Sequence, residues 1–281
     1  SVTPISSLAS TANDLLMAYM MGPALRQWSV EKMGWESRSE FKSLSYPDFM
    51  ADYLKPGGHY FQPETWANCR PGTEYIYSTP GFDLLGYLVE QVSGQPFNHY
   101  LHENIFAPLR MTNTTATPLD NPERIAVPYE RFYGVLTKTN VQLPLSQRRR
   151  IGGGSLYSTI ADLANFLTAH MNQGEFEGHQ LLQPETVAMM HRIISRSGGD
   201  FMQIGYGYGW GIYQKEPRQM WDITFHPRGY QGHGGSYLGY RSLMFMVEEE
   251  QGAYGYVLLT NTGHFGKADW PWHFATKLNI G

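Results

Sequence analysis

The chain has 281 residues, of which 42% are hydrophobic and 16% charged; it can therefore bury a large core, unlike a disordered chain, which combines low hydrophobicity with high net charge. Its net charge of −4 provides no basic excess for nucleic acid or an anionic membrane, and its apolar stretches are shorter than the ~20 residues of a transmembrane helix. The single cysteine, Cys69, excludes an internal disulfide and a multi-cysteine metal site. No histidine pair has metal-binding spacing, so we expect neither a metal nor a cofactor.

The first two thirds of the chain carry helical patterns. Apolar residues at helical spacing predict helices over 11–21, 45–54 and 79–93. The third is the clearest, because Thr79 and Pro80 provide a start, with Thr79 as the cap, and Gly94 provides an end. Further helices are predicted after Pro96, after Ser158 or Thr159, and from Pro184. Strand-like pieces lie at 125–129 and 131–135.

From residue 205 onward the hydrophobic pattern changes to alternation. Strands are predicted over 208–213, 223–225, 240–247 and 254–261, with a hairpin turn at 249–252 and a closing helix over 268–278. We therefore expect one domain over 1–281, with a helical subdomain at 75–200 and a sheet subdomain at 205–281. This arrangement predicts the α+β (mixed α/β) class with an antiparallel sheet, not a βαβ repeat.

Residues 75–81, Tyr-Ile-Tyr-Ser-Thr-Pro-Gly, place polar groups where a loop meets a helix. Tyr77 and Ser78 can point into a cleft while Thr79 caps the helix. A phenol in such a place can act as a general acid or base if a cation lowers its pKa from about 10. A buried tyrosine beside a helix cap explains the same pattern without any function.

Residues 232–236, Gly-His-Gly-Gly-Ser, precede a predicted strand. Small residues there let a ligand approach the backbone closely, and an exposed strand edge can donate N–H groups to an oxyanion. The structural alternative is a glycine-rich hairpin turn.

Taken in order, several segments resemble the serine β-lactamase-like superfamily, which comprises class C β-lactamases, low-molecular-weight penicillin-binding proteins and related esterases. Residues 71–86 (PGTEYIYSTPGFDLLG) are similar to its PGT-x-x-x-YSN-x-G-Y-x-LLG segment, and His233-Gly234-Gly235 to its H-x-G strand. The other similar segments are 92–97 with 105–114, 153–163 and 258–261. The resemblance implies a β-lactamase/transpeptidase-like fold.

The resemblance also implies a serine hydrolase that cleaves an ester, amide or peptide bond of a small-molecule or peptide acyl substrate. A serine of a Ser-x-x-Lys motif attacks the carbonyl, and Tyr77 relays a proton to the leaving group. His233 and Gly235 line the substrate, and their strand, which continues to Ser236, supplies a backbone N–H to the oxyanion hole. Thr79 stands where the family has Asn, so the amide's NH2 donors to the substrate are lost.

The sequence does not identify the nucleophilic serine. Two Ser-x-x-Lys strings exist, Ser29 with Lys32 and Ser39 with Lys42, but both lie in a charged stretch without helical period. The motif needs a helix, where residues i and i+3 are neighbours, so we predict that Ser29 and Ser39 are not nucleophiles. Alignment of 3–14 with a later family segment leads us to expect the true motif, and the N-terminal part of the fold, before residue 1.

Three functional hypotheses follow. The chain is a serine hydrolase whose nucleophile segment lies outside the printed residues, an inactive relative that serves as a structural or ligand-binding subunit of a larger assembly, or an enzyme that uses Ser29 with Lys32. The sequence has no signal peptide pattern, and it leaves the substrate, the compartment and the oligomeric state open.

The predicted sheet needs a cover. Strands 240–247 and 254–261 are too apolar to face water on both sides, and the closing helix, with Trp270, Trp272 and Phe274, can cover one face only. We expect upstream residues of the same polypeptide, or another protein, to lie against the other face.

Overall fold

The structure is a computed structural model, and it describes residues 46–58, 61, 63, 66–116, 122–132, 135–138, 152–154, 156–196, 203–213, 230–237, 239–249 and 252–262. The chain divides into two compact units, the first comprising 1–100 with 142–155 and the second 101–141 with 156–281. Several predicted features lie outside the described residues: the helix over 11–21, both Ser-x-x-Lys strings, the strand over 223–225 and the closing helix over 268–278.

The first unit contains helices α1 (Tyr46–Leu54) and α2 (Thr79–Ser93). Helix α3 (Phe97–Leu101) begins in this unit and ends at the first residue of the second. Helices α1 and α2 contact each other, and Met50 and Tyr53 of α1 are buried. Helix α2 ends as predicted: Gly94 takes a left-handed conformation, with φ of 70°, and its N–H donates to the carbonyl of Glu90.

The loop at Gly152 and Gly153 lies directly on helix α2. The N–H of Gly153 donates to Oδ1 of the buried Asp83 over 2.9 Å. Gly152 has φ of +100°, and a Cβ built on it would lie 2.5 Å from the carbonyl oxygen of Phe82. Only glycine allows this approach, since any other residue would strike the helix backbone. Two of the sequence segments that carry the family resemblance therefore meet here.

We predict that Gly152→Ala destabilises the protein by about 1–3 kcal/mol more than Gly154→Ala, because only the first adds a backbone clash to the strain of a positive φ. Gly154 is a matched control, with φ of +121° and nothing within 4 Å of a built Cβ. Urea denaturation of both variants measures the difference, and equal losses would contradict the close packing.

The second unit contains an antiparallel sheet of five described strands, which lie across the sheet in the order in which they occur along the chain. Two short hairpins precede it, β1 (Tyr129–Phe132) with β2 (Val135–Lys138) and β3 (Glu175–Phe176) with β4 (His179–Gln180). The sheet strands are β5 (Gln203–Tyr206), β6 (Gly211–Tyr213), β7 (Gln231–Tyr237), β8 (Tyr240–Glu249) and β9 (Gly252–Thr260).

Two α-helices accompany this sheet, α4 (Ile160–Met171) and α5 (Pro184–Met190), and α3 continues into a π-helical turn over His102–Phe106. Thr159 caps α4, as one of the two predicted alternatives, by accepting from the N–H of Asp162. Helix α4 packs on β8 and β9, where Leu167 clusters with Trp210 and Met246. A second cluster of buried residues comprises Tyr230, Leu243, Phe245 and Val247.

Several strand predictions needed correction. Residues 208–210, the first part of the strand predicted over 208–213, belong to a turn between β5 and β6, because Gly209 has φ of +83° and the N–H of Gly207 donates to the carbonyl of Trp210. Residues 232–236 precede the predicted strand, now β8, but they form a strand of their own, β7, rather than a glycine-rich turn. The hairpin over 129–138 begins four residues later than the pieces predicted at 125–129 and 131–135. The β8–β9 hairpin is confirmed, with Glu249 opposite Gly252.

Candidate functional site

Tyr77 lies two residues before the start of helix α2, and it is 52% exposed. The next residue, Ser78, is the helix cap: its backbone is extended and its Oγ accepts a hydrogen bond from the N–H of Gly81 over 3.1 Å. The prediction that Thr79 caps the helix was wrong, because Thr79 is already the first helical residue. The cap fixes the direction in which the chain enters the helix and so the position of Tyr77.

Burial raises the pKa of the Tyr77 phenol above its ordinary value. At neutral pH the phenol therefore keeps its proton and can donate it, whereas a role as base requires a cation close enough to lower the pKa.

Strand β7 carries the second group of predicted site residues, His233, Gly235 and Ser236. Its register with β8 is continuous, from Gln231 opposite Met246 to Tyr237 opposite Tyr240. Its register with β6 comprises only Gly211 opposite Gly232 and Ile212 opposite Gln231. Within the described strands, β6 therefore leaves the β7 edge uncovered over 233–237.

The direction of the backbone groups on β7 follows from its pairing with β6. The N–H of Tyr213 donates to the carbonyl of Tyr230 over 2.9 Å, so the backbone groups of Tyr230 point towards β6. Because these groups alternate along an antiparallel strand, those of Gly232, Gly234 and Ser236 point the same way, and those of Gly235 point towards β8. Past Gly232 this direction is the uncovered edge.

The imidazole of His233 is held in one tautomer. Its Nδ1 lies 2.6 Å from the carbonyl oxygen of Gly234, which can only accept, so Nδ1 carries the proton and Nε2 is the acceptor of the neutral ring. Burial lowers the pKa of His233, and the hydrogen bond to Gly234 opposes this shift. The ring also makes an edge contact with Tyr206, at 6.0 Å between ring centroids.

The structure groups the predicted residues within their own units. Tyr77 and Thr79 lie next to each other at the start of α2, and His233, Gly235 and Ser236 follow one another along β7, with His233 and Gly235 on one face. Sequence reasoning missed Tyr206, whose ring contacts His233; the alternation of aromatic residues with glycine over 205–210 was the available signal. Within the described ranges, no three His, Cys, Asp or Glu side chains are placed to hold a metal ion.

Comparison with known proteins decides the family. The family model described as Beta-lactamase matches residues 43–276, most of the chain and both groups of site residues. The chain belongs to the β-lactamase family. The resemblance drawn from the sequence segments is thereby confirmed.

Individual β-lactamase relatives agree with this assignment. The mitochondrial serine β-lactamase-like protein LACTB of Mus musculus is 28% identical over 193 residues, which is 64% of this chain and 34% of the relative. Penicillin-binding protein 4 of Amycolatopsis lactamdurans is 27% identical over 184 residues, covering 64% of this chain and 46% of that protein. The chain thus spans between a third and a half of the length of these relatives.

A solved structure gives the fold. The octameric penicillin-binding protein homologue from Pyrococcus abyssi superposes with a TM-score of 0.58 at 23% identity, covering 79% of this chain and 49% of that one. The fold is therefore β-lactamase/transpeptidase-like, with helices and an antiparallel sheet, as the α+β prediction required. Among the helices that the structure describes, none combines the length and apolarity needed to cross a membrane.

We predict that Ser78→Ala lowers the free energy of unfolding by about 1 kcal/mol, because the N–H of Gly81 loses its acceptor, and that Ser78→Asp retains most of it. Ser93→Ala is the control at the other end of α2, where the hydroxyl donates to the carbonyl of Val89; we expect a change within about 0.5 kcal/mol there. Urea unfolding measures all three variants. A loss with Ser78→Asp equal to that with Ser78→Ala would argue against capping.

Proposed function

We propose that this chain is a β-lactamase-related serine hydrolase that cleaves ester, amide or peptide bonds of a small-molecule or peptide acyl substrate through an acyl-enzyme. The observation that carries the proposal is the uncovered edge of β7, where backbone N–H groups lie beside a neutral imidazole of defined tautomer. Membership of the family supports it, because the matched residues include this strand and the Tyr77 segment.

The edge of β7 has the donors that an oxyanion requires. As a serine attacks an acyl carbonyl, the carbonyl oxygen gains negative charge, and preorganised N–H groups stabilise that charge more than they stabilise the substrate. The alternation along β7 favours Ser236 and Gly234 as donors, since the N–H of Gly235 points towards β8. Gly235 contributes by its small size, which lets a substrate approach the backbone.

Tyr77 and His233 have complementary proton states in this proposal. The phenol of Tyr77 holds its proton at neutral pH, as a group that protonates the leaving amine or alkoxide must, and a nearby cation would have to offset its raised pKa to make it a stronger acid. His233 offers the lone pair of Nε2, because Nδ1 donates to Gly234. A neutral ring is suited to orient the substrate by a hydrogen bond to one of its hydroxyl or N–H groups. It is less suited to form an ion pair with the substrate.

The proposed enzyme also needs a nucleophile. Ser29 with Lys32 is the pair that the third hypothesis uses, but we predict that neither Ser29 nor Ser39 is the nucleophile, and both lie outside the described residues. The competing proposal is an inactive β-lactamase relative that acts as a structural or ligand-binding subunit. Thr79 in place of the family's Asn favours this alternative, because a threonine offers no NH2 donors to a substrate amide.

Reaction with an acyl probe distinguishes the two proposals. A fluorophosphonate or a fluorescent β-lactam, applied to the full natural chain, labels an active serine and leaves an inactive relative unlabelled. We predict labelling, and peptide mass spectrometry should find the label on a serine other than Ser29 or Ser39. Label on Ser29 would overturn our reading of that stretch, and no label at all would support the inactive subunit.

We predict that Tyr77→Phe lowers the rate of probe acylation by about 10²–10⁴-fold, the usual contribution of a positioned general acid or base. Tyr87→Phe is the matched control, since it removes a phenol hydroxyl from the middle of helix α2, ten residues further along the chain. Both variants should keep the unfolding midpoint of the parent. An unchanged rate with Tyr77→Phe would remove Tyr77 from the mechanism.

A further inference from the structure

A chain of three polar side chains in the second unit joins two helices to strand β7. It consists of His170 on α4, His191 at the end of α5 and Gln231 at the start of β7. Nδ1 of His170 lies 3.1 Å from Nε2 of His191, and Nδ1 of His191 lies 2.5 Å from Oε1 of Gln231. We call this set the histidine chain.

The hydrogen bond at the Gln231 end of the histidine chain has a fixed direction. The amide oxygen of Gln231 only accepts, so Nδ1 of His191 carries a proton and donates it, while in the other gap one of the two facing ring nitrogens donates to the other. Burial, together with the neighbouring His191, lowers the pKa of His170 to about 4, so this ring is neutral at pH 7. Each gap therefore holds one proton.

Aromatic rings enclose the histidine chain. Trp210, which is 3% exposed, packs on His170 and His191 with ring centroids 4.7 Å and 4.3 Å away, and Phe166 packs on His170 at 4.8 Å. Polar groups in such apolar surroundings strongly favour the arrangement in which they are hydrogen-bonded. If one of these bonds breaks, its donor or acceptor has no water to bond to instead.

The histidine chain reaches β7 at Gln231, next to the point where the pairing of the strand with β6 ends. Gln231 precedes His233 by two residues and shares its face of the strand. The residues between and after them include Gly232, Gly234 and Gly235, which add backbone freedom and no side-chain packing. Pairing with β6 stops at Gly232, so Gln231 is the last side chain before the uncovered edge that can be fixed from outside the sheet.

We propose that His191 is a positioning residue: through its hydrogen bond to Gln231 it fixes the path of β7 over 231–236 and hence the positions of the His233 ring and the edge N–H groups. Its effect on catalysis rests on the proposed function, whereas its effect on the strand does not. If the histidine chain contributed only to stability, breaking it would weaken the whole sheet. If it positions β7, breaking it should affect that strand alone.

The decisive variants separate hydrogen bonding from packing. His191→Phe keeps a ring against Trp210 and removes both hydrogen bonds. His191→Asn packs less well, but its side-chain NH2 superposes on Nδ1 and keeps the donor to Gln231. Gln231→Leu removes the acceptor alone. His179→Phe is the control, because His179 is an exposed histidine on β4.

The first measurement is amide hydrogen exchange, which needs no activity. In His191→Phe and Gln231→Leu we expect exchange at least tenfold faster than in the parent at the β7 amides that face a neighbouring strand, those of Gly232, His233 and Gly235, with the β8–β9 amides unchanged. His191→Asn should stay within threefold of the parent, although it leaves the larger cavity, and His179→Phe should match the parent. Unchanged exchange in His191→Phe, uniform acceleration over the sheet, or a greater effect in His191→Asn than in His191→Phe would overturn the inference.

The second measurement is acylation by the probe, with its rate and its half-saturating concentration determined separately. A displaced oxyanion donor should reduce the maximal rate about tenfold in His191→Phe with little change in half-saturation, and His191→Asn should restore it. If the parent shows no acylation, the proposed function fails and hydrogen exchange alone decides the inference. If exchange accelerates at these β7 amides but the acylation rate of an active parent is unchanged, the positioning role in catalysis is overturned.

Discussion

Among the strands that the structure describes, β7 pairs along its whole length with β8 and over only its first two residues with β6. Continuous pairing with β8 keeps the glycine-rich segment extended, and the early end of the pairing with β6 turns its remaining N–H groups towards an edge that β6 does not cover. The edge donors, and the position of His233 beside them, depend on this asymmetry. The glycine-rich composition of residues 232–236 does not itself favour a strand, so their extended conformation depends on pairing with β8.

The sequence predicted those elements whose ends are specified locally. Helix α2 was found because Pro80 and Gly94 mark its two ends, and the β8–β9 hairpin because apolar alternation flanks a short polar turn. The cap of helix α2 was predicted one residue too late, on Thr79, because Ser78 and Thr79 are both good caps and only the backbone geometry distinguishes them. The family and its fold were predicted from ordered segments, since close packing such as that of Gly152 on α2 restricts the residues allowed there.

Other features depend on contacts between distant segments and could not be read from local pattern. The alternation Tyr-Gly-Tyr-Gly-Trp over 206–210 has the period of a strand, yet Gly209 takes a left-handed conformation and the segment turns. Residues 232–236 have the composition of a turn, yet pairing with β8 makes them a strand. The tautomer of His233 and the histidine chain are likewise invisible in sequence, because each depends on a carbonyl or side chain brought in by the fold.

The same uncovered edge bears on self-association. A strand edge is a template for any extended backbone, including that of another copy of the protein, so native sheets keep such edges short or irregular. Here the stretch is limited to 233–237, and its glycines supply no apolar side chains that would reward a docked strand by burial. The residues that open the edge to a small acyl group therefore also make it a poor nucleus for aggregation.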